Sequence, residues 1–326
     1  MRRSVLVILL LTVVFVSAVV LRLAVGPAGV SWPTGETWNL RADRVLSGFI
    51  VGASLALAGV FLQCLLRNPL ASPDLIGPAS GAGFAVTLST FLAHTAGIGL
   101  SAAAVATVNS GAALAGAFAA IALVYLLSQS RGHLEPVRLV LVGVIVSIMF
   151  SAGTMFLMYL MPDRGLSLSR WTIGALSDDA PRQALLAGVA LVPFAAVAGT
   201  FAAPMLDASS LGDDEATSLG VPIRPLRICL FLASGVLTAL AVVLAGPIGF
   251  VGLISPHLVR FAAGPGHRIV VPGSVLAGAS IILLSDSAIR AIDLGSGRMP
   301  IGIITAMVGG AVFIALANQS RFGANN

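Results

Sequence analysis

The chain has 326 residues, of which 57% are hydrophobic and 10% are charged, and its mean hydropathy is +1.01. Soluble proteins carry roughly 25% charged residues, so this composition excludes an ordinary soluble domain. All the basic residues are arginines, and the formal net charge of +5 is spread over many short loops, which gives no reason to expect a nucleic-acid partner. Cys64 and Cys229 both fall in apolar runs, which favours small packed residues over a disulfide or a metal pair.

Ten apolar segments, separated by polar residues or by Gly and Pro, follow one another along the chain. Many are near the roughly 20 residues that a spanning helix needs, and backbone groups in lipid must be paired internally, so we expect helices. The sequence therefore predicts an all-α polytopic membrane protein with a single transmembrane domain over residues 1–326. The predicted spans are 4–25, 45–66, 79–93, 100–127, 138–161, 184–206, 226–246, 248–262, 271–292 and 301–317.

The arginines determine the predicted orientation, because they are enriched on the cytoplasmic side of membrane proteins. Arg2 and Arg3 place the N-terminus inside, and ten spans return the C-terminus there. Ten arginines then lie inside and eight outside, so either the topology is wrong or some outer arginines have a specific task. The inner set is Arg2, Arg3, Arg67, Arg131, Arg138, Arg224, Arg227, Arg260, Arg268 and Arg321; the outer set is Arg22, Arg41, Arg44, Arg164, Arg170, Arg182, Arg290 and Arg298.

The chain carries no recognisable catalytic motif. A GxxxxGK[ST] phosphate loop requires lysine, which is absent from the sequence. The four histidines lack HExxH spacing, and no paired intramembrane carboxylates suggest acid–base catalysis. Lone His257, in SPHLVR, is read as a hydrogen-bonded structural residue, and no metal site is expected.

Asp286 is the one acid that lies clearly inside a predicted span. An intramembrane acid is a functional candidate by default. Arg290 follows four residues later on the same helical face, so a local ion pair between the two is the favoured interpretation.

Residues 207–225, DASSLGDDEATSLGVPIRP, form an acidic segment between the sixth and seventh spans. The pattern predicts a short helix that Ser209 or Ser210 caps and Gly220 ends, with acids near its N-terminus as the helix dipole favours. Leu211, Ala216 and Leu219 would give this helix a modest apolar side. An isolated acidic run would be a solvated connector, whereas a folded charged helix indicates a docking partner. The acids are Asp207, Asp213, Asp214 and Glu215.

Four motifs together resemble the permease subunits of ABC importers for iron–siderophores, haem and cobalamin. RVLSGFIVGASLALAGVFLQCLLRNPLASPDLIGPASGAG (44–83) and GPIGFVGLISPHLVRFAAGPGHR (246–268) resemble the two signatures of that family. SLGDDEATSLGV (210–221) is similar to its cytosolic coupling segment, and MPIGIITAMVGGAVF (299–313) to its last span. The motifs follow the family's order over most of the chain.

The resemblance implies a complex of several subunits. A second permease subunit, identical or paralogous, completes a twofold dimer with the substrate path on its axis. Two ATP-binding subunits, which hold the ATP and Mg, dock on the cytosolic face, and a separate binding protein delivers the substrate from outside. The chain itself then needs no cofactor. The residues implied in coupling to the ATPase are Ser210, Leu211, Gly212, Asp213, Asp214, Glu215, Leu219 and Gly220.

The same resemblance gives a task to three outer arginines. Arg41, Arg44 and Arg290 match positions that meet acidic residues of the binding protein, and such rim charges steer an acidic partner. Interfacial snorkelling is the alternative. Asp43, between the first two, would partly neutralise them.

Two stretches are candidates for the translocation path and its gate. RNPLASPD (67–74) predicts a re-entrant turn near the gate, with Asn68 and Pro69 at its start, although a purely structural turn fits the two prolines equally well. The fifth span carries flexible, polarisable methionines that suit the passage of a bulky ligand, while core packing remains the alternative for any one of them. The path candidates there are Met149, Met155, Met158 and Tyr159.

The predicted function is that of a transport subunit without its own ATPase activity, in the bacterial cytoplasmic membrane, with both termini cytosolic. Its cargo is expected to be an Fe(III)–siderophore, with haem and cobalamin next. An ion-coupled secondary transporter that uses Asp286 is the alternative. An intramembrane enzyme acting on lipids is a third class, for which the sequence offers no catalytic residues.

Overall fold

The computed structural model describes residues 2–26, 29–97, 102–130, 133–161, 173–176, 180–291 and 299–311. Within these residues the chain is a bundle of helices joined by short connections. The helices are α1 (Arg2–Ala24), α2 (Glu36–Leu66), α3 (Pro78–Thr95), α4 (Ala102–Leu127), α5 (Pro136–Tyr159), α6 (Arg182–Phe201), α7 (Ala203–Ser209), α8 (Asp213–Ser218), α9 (Ile223–Ala245), α10 (Val251–Ala263), α11 (His267–Ala291) and α12 (Ile301–Ala311).

Two minimal hairpins and one 3-10 helix complete the described secondary structure. Strand β1 (Val25–Gly26) pairs with β2 (Gly29–Val30) in antiparallel register, and β3 (Gln129–Ser130) pairs with β4 (His133–Leu134) in the same way. The 3-10 helix, Pro73–Ile76, lies between α2 and α3.

The all-α polytopic fold predicted from the sequence is confirmed, because a helix occupies each of the ten predicted spans. Seven helices of the described part are long and apolar enough to cross a membrane. The helices α3, α10 and α12 fill the other three positions. The break at Gly246-Pro247 is also present: Gly246 has φ 68°, and α10 begins at Val251. The end of the predicted tenth span, after Ala311, lies outside the described residues.

The sixth predicted span is wrong at its C-terminal end. The sequence predicts one helix over 184–206, whereas α6 ends at Phe201 and α7 begins at Ala203. Pro204 explains the break, because proline has no N–H group to continue the helical hydrogen-bond ladder but is well suited to the first turn of a new helix.

Helix α2 is the centre of the bundle. Every residue from Ile50 to Leu65 is buried, and α2 packs against α9, α10 and α11. By contrast, α1 leaves most of its apolar side chains exposed, among them Leu6 and Val13. A helix whose exposed face is apolar suits contact with lipid rather than water, so α1 lies at the periphery of the bundle.

Glycines permit very close approach between α2 and its neighbours. A methyl group on Gly252 of α10 would overlap the Leu55 carbonyl oxygen and the ring of Pro73, and one on Gly59 would overlap the backbone of Gly252. Small residues at such crossings let helix backbones pack closely in membranes. The packing therefore ties α10 both to α2 and to the 3-10 helix.

We expect Gly252→Ala to destabilise the fold by about 1–3 kcal/mol, the typical cost of overpacking a dense interior. The matched control is Gly111→Ala in α4, where no atom of the described residues lies within 4 Å of the added methyl group. Thermal unfolding of both variants in detergent checks this expectation. Equal unfolding temperatures for the two variants would contradict it.

Candidate functional site

Polar side chains concentrate at the two opposite ends of the bundle. At one end, which we call the acidic end, α7 and α8 meet the end of α2 at Arg67 and the start of α11 at His267. At the other, the arginine end, the end of α1 meets the start of α2 and the last turns of α11. The predicted orientation makes the acidic end cytosolic.

The acidic segment folds into the two short helices α7 and α8. Residue Gly212 precedes α8, and no side chain caps the helix. The two predicted caps point backward instead: Ser209 Oγ donates to the Leu206 carbonyl oxygen at 2.8 Å, and Ser210 Oγ to that of Asp207 at 2.6 Å. The helix prediction is therefore confirmed, but the predicted serine caps are wrong because these hydroxyls complete α7.

Gly220 ends α8 as the sequence predicts. Its φ is 82°, its N–H donates to the Thr217 carbonyl oxygen at 2.9 Å, and the Val221 N–H donates to that of Ala216 at 2.9 Å. This pair of bonds defines a Schellman motif, which requires a left-handed residue and so favours glycine. Ala216 and Val221 are both buried beneath the turn.

Two of the four acids attach the acidic segment to the membrane helices. Arg227 Nη2 donates to both carboxylate oxygens of Asp213 at 2.9 Å, and Arg67 Nη2 contacts the same carboxylate from α2. Asp207 accepts from the backbone N–H of His267 at 3.0 Å and lies 2.6 Å from its Nδ1 atom. Movement of α7 and α8 is therefore linked directly to α2, α9 and α11.

The opposite face of the acidic segment is exposed. Asp214 and Glu215 point away from the bundle, and Leu211 and Leu219 are each 65% exposed. The predicted apolar side is thus divided, since Ala216 faces the bundle while the two leucines face outward. Acids flanked by two large exposed apolar side chains form a surface suited to a protein partner.

We expect Asp213→Asn to loosen α8 without unfolding the protein, because its carboxylate is the shared acceptor of Arg67 and Arg227 but is 46% exposed. Exposed ion pairs contribute about 0–1 kcal/mol to stability, so the effect should stay local. Hydrogen–deuterium exchange should speed up at the amides of residues 213–218. Asp214→Asn is the control, and equal exchange in both variants would contradict the anchoring role.

At the arginine end, Asp286 is buried between two arginines from other helices. Its carboxylate accepts Arg44 Nη2 at 2.7 Å and Arg44 Nε at 2.9 Å, in a bidentate pair. Arg22 Nε contacts Asp286 Oδ2 from the other side and donates through Nη1 to the Val25 carbonyl oxygen at 3.0 Å. The three side chains join α1, α2 and α11, and each is at least 94% buried.

This geometry corrects one prediction about the arginine end. The predicted local pair of Asp286 with Arg290 is wrong, because Asp286 contacts Arg22 and Arg44. Arg44 is only 6% exposed and holds Asp286, which leaves little of its side chain for a binding protein, and its docking role stays a prediction. A carboxylate enclosed by two guanidinium groups is also a poor carrier of a coupling ion, which argues against the secondary-transport alternative.

Arg41 holds the connection between α1 and α2. Its Nη1 donates to the carbonyl oxygens of Leu23 and Ser31, both at 2.5 Å, and its Nη2 to Ser31 Oγ at 3.1 Å. The guanidinium also covers Gly26, where a methyl group would overlap it. Arg41 is half-buried and Arg290 partly buried, and docking of a binding protein at these two residues stays a prediction.

The stretch that follows α2 is a turn at the acidic end. Arg67 adopts the left-handed conformation with φ 47°, and Asn68 Oδ1 accepts the Leu70 N–H at 2.9 Å. This Asx turn is the local role that asparagine commonly takes. Asn68 and Pro69 are exposed, and their part in a gate stays a prediction.

Three of the four path candidates of α5 are exposed. Met149 is 66% exposed, Met155 72% and Tyr159 82%, whereas Met158 is partly buried. Exposure argues against core packing for the first three. It does not distinguish a path from lipid or a partner subunit, so their role stays a prediction.

Two polar contacts that the sequence did not predict join helices of the bundle. The first is Arg22 as a ligand of Asp286. The second is Gln63 of α2, whose Nε2 donates to the Ala71 carbonyl oxygen at 3.2 Å and whose Oε1 accepts from Arg260 of α10. An isolated Gln in the run LALAGVFLQCLL was the available signal, because buried polar groups need partners.

A bundle of apolar helices, seven of which in the described part are long and apolar enough to cross a membrane, with an anchored polar segment at one end, defines a polytopic membrane protein. The model of the FecCD transport family matches residues 4–319. The chain therefore belongs to the FecCD transport family, and the resemblance noted in the sequence to ABC-importer permeases is confirmed.

Several known proteins are similar to the chain over most of its length. It is 34% identical to the hemin transport system permease protein HmuU of Yersinia pestis over 284 residues, 87% of this chain and 83% of that protein. It is 35% identical to the vitamin B12 import system permease protein BtuC of Escherichia coli O9:H4 over 332 residues, covering 98% and 97%. The structure of a metal-chelate type ABC transporter in an inward-facing conformation matches with a TM-score of 0.83 and 31% identity, covering 97% of this chain and 99% of that one.

Proposed function

We propose that this protein is the permease subunit of an ATP-driven importer that carries a metal chelate across the bacterial cytoplasmic membrane. An Fe(III)–siderophore is the first candidate cargo, with haem and cobalamin next. Family membership supports the permease role, and the similar proteins HmuU and BtuC are named for transport of hemin and vitamin B12.

The single observation that carries the proposal is the exposed face of the acidic segment. Asp214, Glu215, Leu211 and Leu219 form a small polar and apolar surface, while the opposite face is fixed to α2, α9 and α11 by Asp213 and Asp207. A partner that moves this surface would therefore move three membrane helices with it. An ATP-binding subunit that changes shape on hydrolysis is the partner that such a lever requires.

The remaining partners follow from the same proposal. A second permease subunit, a copy or a paralogue of this chain, completes the path, and two ATP-binding subunits sit against the two acidic segments. A soluble binding protein delivers the chelate at the arginine end, where Arg41, Arg44 and Arg290 are the docking candidates. Both termini then lie in the cytosol, and the chain carries no catalytic activity or resident cofactor of its own.

The test is uptake into vesicles that contain the permease with its ATP-binding subunits, in the presence of the binding protein. Ferric trihydroxamate, haemin and cyanocobalamin are supplied in turn. We expect uptake of one of them to require ATP on the acidic-segment side and to persist after ionophores collapse the ion gradients. Uptake that needs a gradient but no ATP would overturn the proposal in favour of ion-coupled transport.

A further inference from the structure

Backbone that is not α-helical lies deep inside the bundle at two adjoining places. The 3-10 helix packs through Leu75 against Gly143, seven residues into α5, and through Pro73 against Gly252, which itself lies between Leu55 and Gly59 of α2. At 1.5 Å per residue these contacts are about 10–16 Å from the ends of α5 and α2 at the acidic end. The 3-10 helix therefore lies within the depth of a lipid bilayer.

The second place is the connection between α9 and α10, residues 246–250. This connection runs from the end of α9 at Ala245 to the start of α10 at Val251. Phe250 within it has φ 70°, a strained conformation for a residue with a side chain. Phe250 packs against Gly309 of α12. Helix α5 thus contacts the 3-10 helix, and α12 contacts this connection. We call the 3-10 helix and residues 246–250 together the floor.

Part of the floor is accessible in this chain. Pro247, Gly249 and Phe250 are partly exposed, as are Ser72 and Asp74. Among the described residues, the one atom within 4 Å of a Cβ placed on Gly249 is Asp74 Oδ2, at 3.7 Å. Irregular backbone is tolerated at membrane depth only where it is buried in protein or lines a water-filled cavity. Burying the carboxyl group of Asp74 against a second permease subunit without a cationic partner would be costly, which favours the cavity, and we call this surface its wall.

Asp74, in the 3-10 helix, supplies a carboxyl group to this wall. Ser72 Oγ donates to its Oδ2 at 3.1 Å, and no arginine or histidine nitrogen of the described residues lies within 4.0 Å of its carboxyl group, whereas Asp286 is enclosed by Arg22 and Arg44. A carboxyl group without a cationic partner among the described residues acts on any charge that passes close to it, because the low-dielectric walls of a cleft focus its field.

We propose that Asp74 lines the translocation path and selects cargo by charge, disfavouring chelates with exposed anionic groups and favouring neutral or cationic ones. The inference rests on the proposed import function. Among its candidate cargoes, a neutral ferric trihydroxamate or cobalamin would pass this wall more readily than haem with its two propionates or a ferric tris-catecholate.

The direct test measures the electrostatic potential at the wall and needs no cargo. Gly249→Cys is made in a background in which Cys64 and Cys229 are replaced by alanine, in the complete transporter in vesicles. Its modification by small cationic and anionic methanethiosulfonate reagents is then timed. We expect the cationic reagent to react about tenfold faster relative to the anionic one than it does in the Asp74→Asn background.

The matched control for charge is Glu135→Gln, which removes an exposed acid at the start of α5 and should leave the ratio of the two rates unchanged. A cysteine at 249 that reacts with neither reagent would show that the wall is dry, and an equal ratio with and without Asp74 would show that its charge is not felt. Either result overturns the inference.

Uptake supplies a second measurement that does not depend on the cysteine variants. We expect Asp74→Asn to raise ATP-dependent uptake of haemin about tenfold relative to uptake of the neutral chelate, ferric trihydroxamate or cyanocobalamin, that the unaltered protein carries. Glu135→Gln should leave this ratio as in the unaltered protein. An unchanged ratio in Asp74→Asn overturns the inference while the proposed function stands. If the unaltered protein shows no ATP-dependent uptake, the proposed function itself is wrong. The uptake of the unaltered protein therefore distinguishes failure of the proposed function from failure of the inference about Asp74.

Discussion

Replacing Asp286 by alanine is expected to destabilise the protein by about 3–5 kcal/mol, the cost of removing one partner from a buried ion pair. Arg22 and Arg44 would lose the carboxylate they share, and both are buried. Two guanidinium groups would then remain close together in the interior. We expect a large fall in the unfolding temperature in detergent and in the yield of monodisperse protein.

The control for this prediction is Glu135→Gln, which breaks an exposed ion pair with Arg138 at 3.1 Å and should change stability by no more than about 0.5 kcal/mol. Asp286→Glu keeps the charge and should recover part of the loss. Wild-type stability in Asp286→Ala would show that the buried cluster does not hold α1, α2 and α11 together.

The triple variant Asp214→Ala, Glu215→Ala, Leu219→Ser is expected to lower ATP-dependent uptake and the stimulation of ATP hydrolysis at least tenfold. A tenfold loss corresponds to about 1.4 kcal/mol of coupling free energy. The variant removes two charges and a leucine that is 65% exposed from the proposed contact surface, so a loss of at least this size is expected. Thermal unfolding should be unchanged, because these side chains face away from the bundle.

The matched control removes two exposed acids elsewhere, in the double variant Asp43→Ala, Glu135→Ala, and should leave the stimulation of hydrolysis intact. Full coupling in the triple variant would mean that the exposed face of the acidic segment is not the contact surface. A lowered unfolding temperature would instead indicate a structural role for these residues.

Local rules were sufficient for much of the acidic segment. Gly220 ends α8 because a residue in the left-handed conformation is needed there. Asp213, Asp214 and Glu215 lie in the first turn of α8, where the helix dipole favours negative charge. The same rules failed at Ser209 and Ser210, whose hydroxyls bond backward into α7. The apolar run predicted one helix over 184–206, whereas Pro204 starts the separate helix α7. A proline in an apolar run is compatible with either outcome, so the local sequence did not predict the break.

Long-range contacts were beyond the sequence for a different reason. The i,i+4 rule selected Arg290 as the partner of Asp286, whereas Arg44 and Arg22 are 242 and 264 residues away. The spans are apolar on nearly all sides, so no stripe indicates which face of α1 or α2 meets α11. Such pairs become visible only when the helices are packed.

Local sequence also could not predict which of the neighbouring acids and arginines would be buried and which exposed. Asp213 and Asp214 are neighbours, but they point toward and away from the bundle because α8 rotates about 100° per residue. Arg41 and Arg44 lie about one turn apart on nearly the same face of α2, and they differ because Arg41 reaches the connection between α1 and α2 whereas Arg44 reaches Asp286. The family resemblance predicted that Arg41 and Arg44 both face a binding protein outside the membrane. In the packed bundle, Arg44 forms an ion pair with Asp286 of α11.

Site-directed photocross-linking at Leu219 tests the central claim most directly. A photoreactive residue at this position, in the complete transporter in native membranes, should capture an ATP-binding subunit, and the same residue at Val30 of the arginine end should not. Nucleotide should change the yield at Leu219. Capture of no nucleotide-hydrolysing protein at Leu219, or labelling of a Leu219→Cys variant by impermeant thiol reagents from outside the cell, would contradict the proposal that ATP hydrolysis acts through the acidic segment.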